Sequence, residues 1–334
     1  MPVSLKDVAS AAGVSIKTVS NVVNDYPFVS AATRARVQAI IDELGYRPNL
    51  SARRLRSGRT GLIALSLPEL TPYFAELAEH VVAAAEQRGF TVLIDRTGGE
   101  RGHERLVAAG IRDHPTDGTI ASPLSMTAQD VEKLRDSHPI VLLGERLSHV
   151  GVDHVAVDSV AAAGEAVNHL LSLGRRSIAA IGTSRRPAGT VAQRQRGYEQ
   201  ALTAAGLPLD RARYGDVDLF HREPGYLAMR ELLRRCPELD AVFCFNDLLA
   251  FGALRALAEA GRRVPEDVAV VGFDDVQECR YSSPPLTSIS PDKAAIARYA
   301  VDLLLQRLQR GGPAEPQEVF PGYRLVVRQS TVPA

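Results

Sequence analysis

The run Ser15-Ile16-Lys17-Thr18-Val19-Ser20-Asn21 carries an ammonium and a carboxamide four positions apart. A lysine donates to O6 and N7 of guanine, and an asparagine pairs with N6 and N7 of adenine. The two are therefore equipped to read base edges in a major groove. Thr18, Ser20, Ser30 and Thr33 carry hydroxyls of the kind that touch phosphates or cap helices, which positions a protein without specifying sequence. Ile16 is open between two uses: it can touch a thymine methyl, or it can pack with Val19 and Val23, which share its face. A second set of groups stands far down the chain. Asn246-Asp247 and Asp274-Asp275 each follow a short apolar run. Amides and carboxylates at strand ends suit the hydroxyls of a sugar or the edge of a base, whereas Asp247 and Asp275 fit the capping of a helix or turn better. Tyr73 and Phe74 follow the first apolar run and are placed either to stack on a ring or to pack at a helix start. Paired carboxylates in a cleft also suit the acid and base of glycoside hydrolysis.

The elements that must hold the first set are helices. Leu5, Val8, Ala9 and Ala12 recur at i, i+3, i+4 and i+7, which predicts one amphipathic helix ended by Gly13. Ser15 is placed to cap a second helix. Val19, Val22 and Val23 turn that helix inward and leave Lys17, Thr18, Ser20 and Asn21 facing out. A third helix runs from a Ser30 cap through Val37, Ile40, Ile41 and Leu44 to Gly45. Three helices in about 45 residues make one small core with no room for a catalytic site. Two helices about a glycine turn, the second polar on its outer face, form a helix-turn-helix.

Pro48 disfavours helix at Arg47, and Asn49 can cap a short segment from Leu50 to Arg56 that Gly58 ends. Alone, such a segment is too short to hold a helix in water. Arg53, Arg54 and Arg56 surround Leu55. Arginines favour the potential of a minor groove, and an apolar wedge among them can unstack a base step. The plainer alternative is a flexible basic tether.

The 334 residues carry 39 basic and 39 acidic side chains, a net charge of zero. Its distribution is uneven: residues 1–60 hold nine Lys and Arg against four Asp and Glu, a surplus of +5 that the rest of the chain reverses. A basic small domain beside an acidic large one suits a phosphate-binding unit joined to a sensor. No long apolar run predicts a membrane span, and no leader pattern opens the chain, so a cytoplasmic location is expected. Cys236, Cys244 and Cys279 form no close pair, which predicts buried reduced thiols rather than a disulfide framework or zinc site. No phosphate loop, dinucleotide fingerprint, metalloprotease or nucleophile-elbow motif occurs, and no cofactor or metal is expected.

Beyond Thr60, short apolar runs alternate with amphipathic stretches. Strands are predicted at Leu62–Leu67, Thr91–Ile94, Gly118–Ala121, Ile140–Leu143, Val155–Val157, Ser177–Ile181, Ala241–Phe245 and Val268–Val271. Helices are predicted at Tyr73–Arg88, Ser159–Leu173, Arg194–Ala205, Pro224–Arg235 and Leu248–Ala260. Such alternation predicts parallel sheets covered on both faces, and the length predicts two lobes. Ligands of such folds bind at the carboxyl ends of strands.

The words Leu5-Lys6-Asp7-Val8-Ala9, Ala12-Gly13-Val14-Ser15, Thr18-Val19-Ser20, Val29-Ser30, Glu43-Leu44-Gly45-Tyr46-Arg47-Pro48-Asn49 and Ser51-Ala52-Arg53-Arg54-Leu55-Arg56-Ser57-Gly58 resemble the lactose/galactose-repressor (LacI-type) family. The resemblance spans essentially the whole chain, including the closing Tyr323–Thr331. It implies a small all-α helix-turn-helix headpiece (residues 1–45), a hinge (46–59) and a two-lobed α/β, periplasmic-binding-protein-like domain (60–334). The first lobe would hold about 60–157 and 290–318, the second about 158–284 and 323–334. Crossings between lobes are expected near Val157–Asp158, Pro284–Ser290 and Glu318–Tyr323. The family's base-reading positions fall on Ile16, Lys17 and Asn21. Ser15, Thr18, Ser20, Ser30 and Thr33 join them as DNA contacts, as do Ala52, Arg54, Leu55 and Arg56 in the hinge, with Leu55 as the wedge. The resemblance implies effector contacts at Arg194 and Phe220; the strand-end reading adds Tyr73, Phe74, Asn246 and Asp274, with Arg146 and Glu145 as weaker candidates. Two headpieces of a homodimer would grip a palindromic double-stranded operator, and a small effector, either a sugar or a nucleobase, would switch the affinity. The resemblance implies a regulator rather than an enzyme, and no tetramer-forming tail is expected after Ala334.

Overall fold

The computed structural model describes residues 3–23, 26–46, 59–111, 115–135, 138–147, 150–310 and 315–333. The chain divides into two compact units, Met1–Thr60 and Gly61–Ala334. In the first, α1 (Leu5–Ala12) opens on a reciprocal cap: Asp7 N–H donates to Ser4 Oγ, and Ser4 N–H donates to Asp7 Oδ2 at 2.8 Å. Gly13, at φ 61°, ends the helix in the left-handed region. α2 (Ile16–Val23) follows α1 after three residues, and α3 (Ala31–Leu44) is capped by Ser30, whose Oγ accepts from Thr33 N–H. Val8, Ala9, Ala12, Val19, Val22 and Val37 form the core. Leu44, expected on the inner face, is left exposed. Gly45 reverses the chain, Tyr46 N–H donates to Ile41 O at 3.0 Å, and the buried Tyr46 ring closes the core in its place.

The second unit holds two six-stranded sheets. The first contains β1 (Leu62–Leu67), β2 (Thr91–Arg96), β3 (Gly118–Ala121), β4 (Ile140–Leu143), β5 (Asp153–Val155) and β11 (Glu318–Val319). Its order is β11-β5-β4-β3-β1-β2, parallel throughout. The second contains β6 (Ile178–Thr183), β7 (Tyr214–Asp216), β8 (Ala241–Cys244), β9 (Ala269–Phe273), β10 (Thr287–Pro291) and β12 (Tyr323–Val326). Its order is β12-β10-β9-β8-β6-β7, with only β12 antiparallel. Helices α4 (Pro72–Glu86), α5 (Arg101–Ala108), α6 (Ala128–Leu134) and α11 (Lys293–Arg310) serve the first sheet. Helices α7 (Ser159–Ser172), α8 (Gly189–Ala204), α9 (Arg222–Arg235) and α10 (Asp247–Glu259) serve the second.

The chain passes between the lobes after β5, after β10 and after β11. The segment Pro284–Ser290, read from sequence as a crossing, instead leads into β10, which pairs with β9 in the second sheet. Its hydroxyls disguise a buried strand: Ser288 Oγ donates to Asp247 Oδ1 at 2.7 Å, and Thr287 Oγ1 donates to Arg328 O at 3.0 Å. Chain passage follows at Pro291–Asp292, where α11 begins to pack on α4 and the first sheet. Cys236, Cys244 and Cys279 are buried and free.

Two close helix crossings set the second lobe. A Cβ on Gly197 of α8 would stand 2.3 Å from Val160 O of α7, and one on Gly252 of α10 would stand 2.0 Å from Arg222 O. Backbone cannot yield as a flexible side chain does, so only glycine permits these approaches. Gly197→Ala should therefore push α8 off α7 and cost about 1–3 kcal/mol of stability. Urea unfolding followed by circular dichroism will show this as a lowered midpoint, and an unchanged midpoint would refute the close-packing argument.

Candidate functional site

A cavity of about 420 Å³ lies between the two lobes of the second unit. Tyr73, Phe74, Arg146, Arg194, Phe220, Asn246 and Asp274 all line it. The structure thus gathers into one space residues spread over some 200 positions of sequence. Their elements explain the convergence: Tyr73 and Phe74 open α4 after β1, Arg146 follows β4, and Arg194 lies in α8 after β6. Phe220 follows β7, and Asn246 and Asp274 follow β8 and β9.

Arg194 forms the floor. Its guanidinium carbon lies over the Phe273 ring, 3.5 Å from the centroid, and the side chain is almost wholly buried. Nη1 donates to Phe245 O. Nη2 stands 3.7 Å from Asp274 Oδ1, too far for a hydrogen bond, and Nε has no partner. A buried charged group with spare donors is uncommon and calls for an account of those donors. Asp274 has φ 109° and Asp275 φ 46°, two consecutive non-glycine residues in the left-handed half of conformational space. That double turn separates the two carboxylates. Asp274 lines the cavity, while Asp275 accepts from Arg328 Nη2 at 2.7 Å and is structural. Burial pushes the Asp274 carboxyl above the ordinary carboxylate range, against the opposing pull of Arg194 and Lys293. Asp247 is pushed the same way, by burial and then by Asp274, but it faces inward and accepts from Ser288 Oγ and Val276 N–H.

Asn246 offers less than a bidentate carboxamide. Its Oδ1 caps α10 by accepting from Leu249 N–H at 2.9 Å, and its Nδ2 donates to Phe220 O at 3.1 Å. One N–H is left for a ligand, and the other fixes the backbone that carries the Phe220 ring. Arg146 is exposed, with its backbone pressed against Gly189. Its neighbour Glu145 is buried and accepts from Ser159 Oγ at 2.9 Å and from Thr190 Oγ1, both in the other lobe. Two further glutamates of the first lobe reach across. Glu69 Oε2 lies 3.1 Å from His221 Nε2 at the cavity mouth. Glu76 accepts from Gln277 N–H at 2.8 Å and from Lys293 Nζ. The spacing of residues carries no sign of these links.

The reading from sequence also missed the lip formed by Ser122, Pro123 and Leu124. The rule that ligands meet strand ends would have found it, because these residues follow β3 directly. The lip is anchored by Glu104, a buried carboxylate that accepts from the consecutive N–H groups of Leu124, Ser125 and Met126 at 2.6, 2.9 and 2.7 Å.

In the first unit, Lys17 is exposed on α2, and Thr18, Ser20 and Asn21 are partly exposed. Ile16 is 46% exposed and lies outside the core cluster, which removes the packing alternative. Ser15 Oγ accepts from Thr18 N–H at 3.0 Å, so Ser15 and Ser30 both act as caps. Each cap hydroxyl also bonds the threonine hydroxyl three residues on, at 2.9 and 2.8 Å. Ala52, Arg54, Leu55 and Arg56 lie outside the described residues.

The description "Bacterial regulatory proteins, lacI family" matches residues 4–49, and "Periplasmic binding protein-like domain" matches residues 167–331. The transcriptional regulator CelR of Thermobifida fusca is 37% identical over 341 residues, 98% of each chain. The chain belongs to the LacI family. Among solved structures of the family, a CelR–cellobiose complex is 36% identical with a TM-score of 0.71, covering 98% of this chain and 99% of that one. A Lac repressor dimer bound to operator and the anti-inducer ONPF is 29% identical with a TM-score of 0.85, covering 99% of each. This LacI-family chain is thus a helix-turn-helix transcriptional regulator, and its relatives are regulators rather than enzymes. Among the described residues, no helix is long and apolar enough to cross a membrane.

A carboxyl whose pKa is higher folded than unfolded stabilises the fold while protonated, and that contribution is lost as pH climbs toward neutrality. Asp274→Asn, which tolerates the positive φ, should remove this loss. Its melting temperature should gain on wild type as pH rises from about 4, the ordinary carboxylate range, to about 7, where burial has pushed this carboxyl. A difference between the two proteins that stays flat with pH would contradict a buried, protonated Asp274.

Proposed function

We propose that this LacI-family regulator is a cytoplasmic, homodimeric repressor of a palindromic operator, switched by a neutral sugar in the interlobe cavity. The observation that carries the sugar is the lining of that cavity. Three carboxylates (Glu69, Glu145, Asp218) stand against two guanidinium groups (Arg146, Arg194), and burial pushes the fourth acid, Asp274, toward its neutral, hydrogen-bond-donating form. An acidic surplus repels phosphorylated and other anionic ligands. Phe220, Tyr73 and Phe74 offer ring faces to the C–H faces of a pyranose. Arg194, Asp274 and the spare N–H of Asn246 offer hydrogen bonds to its hydroxyls. The volume falls within the range of small-molecule sites, and the cellobiose complex of CelR makes cellobiose the first probe.

In this reading Ile16, Lys17 and Asn21 touch bases while Ser15, Thr18, Ser20, Ser30 and Thr33 touch phosphates. Ala52, Arg54, Leu55 and Arg56 enter the minor groove, with Leu55 as the wedge. The dimeric assembly of the Lac repressor on its operator supports the two-headed arrangement. A sugar held by residues of both lobes favours the arrangement in which Glu69, Glu76 and Glu145 reach across. It shifts operator affinity by the difference in its affinity for the two lobe arrangements.

Selection of bound genomic fragments with the purified protein tests the DNA half, and a palindrome upstream of a few genes is the expected result. Titration of that palindrome with and without cellobiose tests the sugar half. Arg194→Ala should abolish the response to sugar and leave sugar-free operator affinity unchanged; a full response in the variant would remove Arg194 from the site. Leu55→Ala should weaken operator binding and leave sugar affinity intact, whereas equal operator binding would sink the wedge.

A further inference from the structure

Phe28 is 85% exposed, more than any other large apolar side chain among the described residues. Tyr26, two positions earlier, is 49% exposed. Their rings meet edge to face, with centroids 5.5 Å apart and planes at 62°. The loop that carries them is braced. Tyr26 N–H donates to Asn21 O at 2.8 Å, and Arg34 Nη2 donates to Tyr26 O at 2.7 Å. Pro27 fixes a backbone angle between the two rings. Val29 packs against the headpiece core, so its neighbour Phe28 is turned away from it. The small core therefore has an aromatic ring within a few residues' reach and does not take it in.

The Tyr26 hydrogen bond to the Asn21 carbonyl ties the loop to α2, and the loop enters α3 at the Ser30 cap. It is continuous with the base-reading helix on one side and with the proposed phosphate-binding hydroxyls on the other. The phenyl ring has no donor or acceptor for a phosphate. What it can cover is the apolar part of a groove wall, meaning the 5-methyl group of thymine or the C–H face of a deoxyribose. A ring already braced in place loses little freedom on contact.

We propose that Phe28, buttressed by Tyr26, is a further DNA contact of this regulator, laying its ring on the apolar groove wall beside the phosphate held by Ser30 and Thr33. The inference rests on the assignment of α2 as the DNA-reading helix.

The test uses the full-length protein and the palindrome recovered by fragment selection, titrated by fluorescence anisotropy. Phe28→Ala should weaken binding about tenfold, equivalent to about 1.4 kcal/mol. The slope of affinity against salt should stay unchanged, because the ring neutralises no phosphate. Circular dichroism should match wild type, since the ring contributes nothing to the core, and Phe28→Leu should recover part of the affinity. Uracil in place of each thymine at the flanks separates the two surfaces. Weaker binding by wild type but not by Phe28→Ala identifies a methyl contact, and equal responses identify the sugar face. Phe28→Ala binding as tightly as wild type while Lys17→Ala binds weakly would overturn the proposal and leave α2 as the reader, pointing Phe28 at a protein partner instead. Lys17→Ala and Asn21→Ala both binding like wild type would overturn the α2 assignment.

Discussion

The fold removes the guanidinium of Arg194 from water. Burying such a charge is costly unless its surroundings offset the loss of solvent. The rest of the cavity is arranged to do so. Phe273 supplies its ring face below, Phe245 supplies a carbonyl, and Asp274 supplies a carboxyl at a distance that stops short of a hydrogen bond. Had Asp274 closed onto Arg194, the pair would have been satisfied and mute. Instead the double left-handed turn at Asp274-Asp275 holds the carboxyl beside the cation, and both residues, Arg194 and Asp274, line the cavity.

Around that floor the two lobes are joined by carboxylates of a single origin. Glu69, Glu76 and Glu145 all belong to the first lobe, and each accepts from or faces a donor in the second: His221, Gln277 N–H, and Ser159 with Thr190. The three differ in exposure. Glu145 is buried, while Glu69 and its partner His221 share the mouth with solvent. Solvent screens an exposed pair far more than a buried one, so the Glu145 contacts beside the chain crossing after β5 hold the lobes more firmly than the contact at the mouth. A closure that is firm at its axis and loose at its lip admits a ligand by opening on one side.

Much of this architecture was legible in the sequence, because each element carries its own period and its own stops. The helix-turn-helix followed from apolar spacing and two glycines, and the strand–helix alternation followed from short apolar runs. Less legible were elements whose side chains are polar yet buried. β10 reads as a linker because Thr287 and Ser288 spend their hydroxyls on partners distant in sequence. Tyr46 replaced Leu44 in the headpiece core because the reversal at Gly45 overrode helical periodicity. In the cavity, the residues named from sequence converge, but the helix cap claims part of Asn246. The cross-lobe role of Glu145 depends on Ser159 and Thr190, which no local pattern links to it.

The anchoring of the Ser122–Leu124 lip has a consequence for the side chains it carries. Glu104 holds it through main-chain amides, which every residue but proline possesses. The side chains of the lip take no part in that anchorage. Leu124, 48% exposed at the cavity's edge, is open to exchange for a polar, smaller or aromatic residue without loosening the frame beneath it. In a frame built this way the side chains at one edge of the cavity can change while the main chain that carries them stays in place.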